Sequence, residues 1–399
     1  MSVMYDEVPA YPFTAADQLQ VDPRLAEVRA QRPVLRVRLA YGGDAWLVTR
    51  YADVKTVLAD PRFSRAATVG KDVARTTAMG PAPTSILSLD PPEHSRLRRL
   101  VAKAFTGRRI ELLRPSAQRI VDDLLTTMID TGPPADIAEA LCWPLPITII
   151  CELLGVPVDD RGQFQTWTDR LLVLSGDPGE SSTAREELGA YIAALIARRR
   201  TDPSDDLLGA LVDARDNEDR LSEEELVSIG ITILFAGHET TANQAGNFIY
   251  TLLANRAYWN ELVADPNLVP AAIEELSRIT PLAASAGFTR LVTEDLELSG
   301  QHLRAGDAVV VEATAANRDA AVFADPEDID FHRADNPHIA FGHGAHHCLG
   351  AQLARMELQT VIATLVRRLP TLRLATAPDA VHWRADHLVR GVTALPVAW

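Results

Sequence analysis

Phe341-Gly-His-Gly-Ala-His-His-Cys348-Leu-Gly350 is the stretch whose reading decides the fold. Its one cysteine is boxed by glycines and stands just before an apolar, helix-like run from Ala351 to Leu369. A thiolate at the start of a helix sees the positive end of the helix dipole and backbone N–H groups with no helical partner. Both are expected to lower the thiol pKa and to soften the charge on sulfur. The glycines let the backbone pass close to something flat and large. A sulfur ligand to haem iron needs this combination. Two plainer readings compete. Cys348 could be an ordinary buried cysteine, or His338, His343, His346, His347 and Cys348 could form a zinc cluster.

The chain around this loop has 399 residues, 47% hydrophobic and 23% charged, an ordinary globular composition. Cys142, Cys151 and Cys348 are too few for a disulfide framework, which fits a reducing cytoplasm. The net charge of −15 speaks against a nucleic-acid or anionic-membrane role. Met1 to Phe13 lacks the basic-then-apolar pattern of a signal peptide. No run approaches the ~20 apolar residues of a membrane span. The expectation is a cytoplasmic protein with no membrane anchor.

Alternation in Val34 to Leu39, the Gly42-Gly43-Asp44 turn and Ala45 to Thr49 predict a pair of strands. Tyr51 to Ala59 reads as a helix stopped by Asp60-Pro61, and residues 64–89 as a long loop. Asp90-Pro91-Pro92-Glu93 opens a helix with prolines in its first turn. Seven basic residues follow (Arg96, Arg98, Arg99, Lys103, Arg108, Arg109, Arg114), opposed only by Glu111. They read either as a solvated face or as a docking patch for an acidic partner. Helical patterns occupy 115–131, 137–154, 163–174, 182–200 and 205–215, with a Ser175-Gly-Asp-Pro-Gly179 loop after the third. The expected fold is mainly α with small β-sheets, one domain over residues 1–399.

Ser222-Glu-Glu-Glu225 is a capping box that opens a run to about Leu253. Leu226 to Phe235 is apolar nearly all round, so the helix should be buried. In its middle stands Ala236-Gly237-His238-Glu239-Thr240-Thr241, a poor choice for a buried helix. Thr240 lies four residues after Ala236, so its hydroxyl can bond back to that carbonyl and bend the helix. Gly237 would leave room beside the bend. The groove could hold a small molecule and a hydroxyl, with Glu239 placed to relay protons. A plain helix kink is the alternative. A zinc-protease reading of His238-Glu239 fails, because position 242 is Ala242 rather than a histidine.

The spacing Phe341-x-x-Gly344-x-x-x-Cys348-x-Gly350 resembles the haem-binding loop of the cytochrome P-450 superfamily of haem-thiolate monooxygenases. Ala236-Gly237-His238-Glu239-Thr240-Thr241 is similar to that family's oxygen-activating signature, with Thr240 as the alcohol and Glu239 as the acid. Glu275-Leu-Ser-Arg278, an ordinary helix pair by itself, resembles its Glu-x-x-Arg. Arg318 of Ala316-Asn-Arg-Asp319 is the candidate third partner. His94 and Arg98 resemble a His-x-x-x-Arg match. The resemblance implies haem b with the Cys348 thiolate as axial ligand, a long central helix over the haem, and propionates held by His94, Arg98, Arg290 and His346. It runs over nearly the whole chain. His347 stands where many relatives carry an aromatic residue, which touches only the tuning of the sulfur.

The implied activity is insertion of one oxygen atom from O2 into an organic substrate, by hydroxylation or epoxidation. Glu239 and Thr240 would deliver the protons, and the thiolate would favour O–O cleavage. The implied electron donors are a ferredoxin and its reductase. Pocket walls would come from residues 64–89, 168–182, a C-terminal turn and Ala283-Ala284-Ser285-Ala286-Gly287. Those five small residues imply room for a bulky metabolite such as a polyketide, macrolide or peptide, free or carrier-tethered. A non-catalytic haem-binding protein of the same fold and a zinc hydrolase remain as alternatives.

Overall fold

The computed structural model describes residues 7–78, 80–157, 160–173, 178–204, 206–216 and 220–399. The helices are α1 (Arg24–Gln31), α2 (Tyr51–Ala59), α3 (Glu93–Ala102), α4 (Gly107–Thr131), α5 (Pro144–Leu154), α6 (Arg161–Leu172) and α7 (Pro178–Thr201). They continue with α8 (Leu207–Asp216), α9 (Glu223–Ala254), α10 (Arg256–Ala264), α11 (Val269–Ile279), α12 (Ala313–Ala316) and α13 (Ala351–Arg368). The fold is mainly α, as expected, with small sheets at one side.

The capping box of α9 is formed in both directions: Glu225 N–H donates to Ser222 Oγ, and Ser222 N–H to Glu225 Oε2. From there α9 runs 32 residues without a break, about 48 Å at 1.5 Å per residue. It packs against α5, α7, α10 and α13, and so forms the axis of the largest apolar core. Two smaller cores lie on the two faces of the main sheet. In that sheet Val34–Arg38 pairs antiparallel with Asp44–Val48, which pairs parallel with Ala308–Val311. Arg290–Val292 and Phe63–Ser64 complete it.

Three local expectations need correction. Pro91 and Pro92 precede α3 rather than lie in its first turn, and Pro92 is the N-cap. The helix expected from 115 starts eight residues earlier, at Gly107, and runs through Pro115. The ring costs one backbone bond, but Ile110, Ala117 and Val121 are buried on either side of it and keep the axis seated. Residues 138–142 form a π-helical turn before α5. Leu174 of the expected 163–174 helix, residues 175–177 of the expected Ser-Gly-Asp-Pro-Gly loop, and Asp205 of the expected 205–215 helix lie outside the described residues.

Candidate active site

The cysteine loop ends on α13, whose N-cap is Gly350. Cys348 N–H donates to the Phe341 carbonyl at 2.8 Å, which closes the loop on itself. Gly344 has φ +71°, and a Cβ there would come 2.5 Å from the Leu58 carbonyl at the end of α2. Only glycine lets the loop sit this close to α2. Gly350 differs, since nothing lies within 4 Å of where its Cβ would be. Cys348 is exposed to that open space. The protein packed around the sulfur on its inner side raises the thiol pKa, while the Gly350 N–H, Arg98 and Arg355 pull it down.

Behind the loop, Arg355 lies 4.4 Å over the Phe341 ring. Arg355 and His338 both reach Glu274, at 2.7 and 3.0 Å. Burial pushes the Glu274 carboxyl up, but these two partners bring it down to about 2.

Beside the loop stands a cluster of buried arginines and histidines. His94 and His346 stack with ring centroids 4.2 Å apart. Arg290 and Arg65 are 4% and 5% exposed. Burial lowers Arg290 to about 10 and Arg65 to about 9, and it lowers His346 to about 3. Asp90 is the one carboxylate among the described residues whose charge raises both arginines and His94. Arg65 Nε, His94 Nδ1 and His346 Nε2 are buried without a hydrogen-bond partner. A buried guanidinium N–H left in this state, with a second buried arginine beside it, calls for anionic oxygens. The two propionates of a haem fit that need, and the open space at Cys348 and Gly350 fits its ring. Arg98, one turn after His94 on α3, donates to the His347 carbonyl at 2.5 Å, and its charge lowers the His94 pKa. Arg65 lies in the irregular 64–89 segment, where no periodicity or motif singles it out.

On α9 the Thr240 hydroxyl donates to the Ala236 carbonyl at 2.7 Å, as its spacing predicted. Ala236 is exposed and Thr240 half-buried, whereas His238, Glu239 and Thr241 are buried. The i,i+4 pair thus presents one open face in an otherwise covered stretch. Gly237, next to Ala236, is half-buried. Its missing Cβ accommodates Ile150 of α5, which would stand 2.8 Å away. The glycine lets α5 pack closely on α9. His238 lies edge-on to Trp143, 5.6 Å between centroids, away from the open face.

Glu275 and Arg278 form a two-pronged bond at 2.7 and 2.9 Å, with side chains 1% and 0% exposed. Burial pushes the Glu275 carboxyl up, yet the Arg278 bonds and the Asp330 N–H hold it below the usual range. Arg318 is not the third partner. It donates to the Ile279 and Thr314 carbonyls and to Glu327. Arg333 occupies that place, 3.1 Å from Glu275, and Asn336 adds a further donor.

The small-residue segment is only partly a wall. Ala283 and Gly287 are exposed, and Ala284 is half-buried. Ser285 is buried with an unpartnered hydroxyl. Ala286 turns inward and packs in the apolar core with Leu291, Ala308 and Val310. The C-terminal turn does meet this segment: Ala284 N–H donates to Leu388, and Arg390 N–H to Leu282. Part of the 168–182 wall lies outside the described residues.

A separate cavity of about 700 Å³ is lined by Arg96, Arg99, Lys103 and Arg220 and includes none of these residues. Among the described residues no three His, Cys, Asp or Glu side chains converge as a metal site, so the zinc cluster is not assembled.

The family model for cytochrome P450 matches residues 164–380. The chain is 47% identical to nocardicin C N-oxygenase of Nocardia uniformis subsp. tsuyamanensis, over 98% of each chain. It is 46% identical to mycinamicin IV hydroxylase/epoxidase of Micromonospora griseorubida, again over 98% of each. The crystal structure of the LnmA cytochrome P450 hydroxylase from the leinamycin pathway of Streptomyces atroolivaceus S-140 superposes with TM-score 0.91 at 49% identity, covering 98% of this chain and all of that one.

Proposed function

The chain belongs to the cytochrome P450 family, and on that premise we propose which residues carry its chemistry and what it oxidises. It is a haem-thiolate monooxygenase, an oxidoreductase that acts with O2. When bound, the haem iron activates dioxygen and receives electron density from a thiolate.

The rest falls to side chains of this protein. Cys348 is the ligand. Arg98, Arg355 and the Gly350 N–H stabilise its charge. Arg65, His94, Arg290 and His346 take the propionates. Glu275, Arg278 and Arg333 brace the wall behind the site. Thr240 commits its own proton to Ala236, so its oxygen lone pairs face the open side and can hold a water. Glu239, next along the helix, restores protons to that water. The observation that carries this reading is the 2.7 Å Thr240–Ala236 bond beside a carboxylate only 1% exposed.

Electrons come from a ferredoxin and its reductase. The docking face is the exposed set Arg99, Lys103, Arg108 and Arg109 around Leu112, itself 73% exposed. No helix of the described residues is long and apolar enough to cross a membrane, and a cytoplasmic location as one domain fits the redox partners. The substrate is a bulky secondary metabolite. Support comes from the small residues Ala283, Ala284 and Gly287 and from the relatives named for oxidising nocardicin C and mycinamicin IV.

The deciding experiment is a spectrum of the reduced, carbon-monoxide-bound protein, followed by haem spin-state titration with mycinamicin IV and nocardicin C. The thiolate-type band with a spin shift supports the proposal. An imidazole-type band in wild type, or an unchanged band in Cys348→Ser, overturns the ligand assignment.

A further inference from the structure

Glu239 finds its cation at the far end of the chain. Arg384 Nη1 donates to Glu239 Oε1 at 2.9 Å, across 145 residues. The pair is well covered, with side chains 14% and 1% exposed. The Arg384 guanidinium lies 4.5 Å over the Trp143 ring. His238 packs edge-on against the same ring. Burial, then the Arg384 charge, lowers His238 to about 4, so it stays neutral and adds no competing cation.

Arg384 is also held at a fixed height on α9. Its N–H donates to the Gly391 carbonyl at 2.8 Å, and Trp383 bridges to Val392, so residues 383–392 fold as a hairpin. Glu239, Asn243 and Asn247 are four apart and share one face of α9. The hairpin lies along that face. Any side chain at Gly391 would collide with Asn243, and Asn247 donates to the Arg390 carbonyl at 3.0 Å. At its other side Val389 bridges to Ala283 in the segment that borders the pocket.

We propose that Arg384 is a positioning residue for the proton relay: carried on the 383–392 hairpin and stacked on Trp143, it fixes where the Glu239 carboxylate stands. The proposal rests on the reading of Glu239 as the relay acid. A carboxylate this deep needs a countercharge. A planar, two-sided guanidinium restrains it better than a point charge would. Small displacements of a proton donor are costly in rate.

The test uses the haem-loaded enzyme with NADPH, spinach ferredoxin and its reductase, without added organic substrate. Glu239→Gln, Arg384→Gln, Arg384→Lys and the double Gln variant are compared. Arg384→Gln should slow NADPH oxidation per haem about tenfold, within the range of general acid–base contributions. Arg384→Lys should restore part of that loss. In the Glu239→Gln background, Arg384→Gln should change nothing further, because its effect runs through the carboxylate.

A second readout needs no turnover. The infrared C–O stretch of bound carbon monoxide senses the field of nearby charges. It should broaden or split in Arg384→Gln, sharpen again in Arg384→Lys, and be indifferent to Arg384 when Glu239 is Gln. If Arg384→Gln does not load haem, the Lys variant carries both comparisons. An Arg384 loss of equal size in both backgrounds, or a lowered melting temperature with rate and band unchanged, overturns the proposal. If Glu239→Gln itself leaves rate and band as in wild type, the relay reading fails first.

Discussion

Arg333 lies 3.1 Å from the Glu275 carboxylate, so that buried acid is gripped by two guanidiniums rather than one. Arg318, only a few residues from Glu327, spends its donors on carbonyls and on that exposed acid. Double-mutant cycles on urea unfolding should separate the two. Glu275→Gln and Arg333→Gln should couple by about 1–3 kcal/mol, and Glu275→Gln and Arg318→Gln should add within about 0.5 kcal/mol. Equal coupling in both cycles would remove Arg333 from its place.

Thr240→Ala should leave haem content and the carbon-monoxide band intact, since among the described residues the hydroxyl bonds to its own helix. What changes is the placing of water on the open face. The share of NADPH electrons recovered as hydrogen peroxide should rise several-fold, roughly the scale of a lost proton-delivery contact. Unaltered coupling would take Thr240 out of the mechanism.

These two cases show what the sequence could reveal. The Thr240 back-bond, the Ser222 capping box and the Glu275–Arg278 pair are all i,i+3 or i,i+4 relations, and helix spacing exposes them directly. The arginines that finish the site are not local. Arg333 reaches Glu275 across 58 residues, and Arg384 reaches Glu239 across 145. No periodicity assigns a partner at such separations. Glycines divide in the same way. Gly344 announced a close approach, and in the chain the thing approached is the Leu58 carbonyl, while Gly237 makes room for Ile150. Small residues at 283–287 looked alike in sequence, and the turn of the backbone sent Ala286 into the core.

The basic run also needs sorting by contact. Arg96 is tied to Glu225 at 2.5 Å, Arg98 to the His347 carbonyl and Arg114 to Glu111. Arg99, Lys103, Arg108 and Arg109 remain exposed. Reversing Arg99 and Arg108 to Glu should raise the KM for ferredoxin about tenfold at low salt, with the difference shrinking as ionic strength passes 0.15 M and the Debye length falls to about 8 Å. Reversing Arg96 should instead destabilise the fold. A loss of ferredoxin affinity independent of salt would place the docking face elsewhere.

Glu274 sets an acid-dependent term in stability. Its carboxyl falls from 4.5 unfolded to about 2 folded, because the His338 and Arg355 bonds outweigh burial. A depressed carboxyl stabilises above its unfolded value and loses that contribution as pH falls toward the folded one. With the group partly open to solvent, the contribution is roughly 1–2 kcal/mol. Wild type should therefore exceed Glu274→Gln in urea midpoint at neutral pH, and the gap should narrow between pH 4.5 and 2. A gap that is constant with pH would mean that packing on Phe341, rather than charge, carries the effect.

Gly344 and Gly350 flank the same cysteine and should fail differently. At Gly344 a side chain meets both a left-handed backbone, φ +71°, and the Leu58 carbonyl at 2.5 Å. Gly344→Ala should then lower the unfolding midpoint of apoprotein and holoprotein alike, by roughly 1–3 kcal/mol of backbone strain. Gly350 has an ordinary φ of −84° and no neighbour within 4 Å of a Cβ. Gly350→Ala should leave the apoprotein as stable as wild type. If that open space is where the haem ring lies, the same variant should lose haem faster to an excess of apomyoglobin. Parallel behaviour of the two variants in both assays would mean that the space beside Gly350 is not the cofactor's.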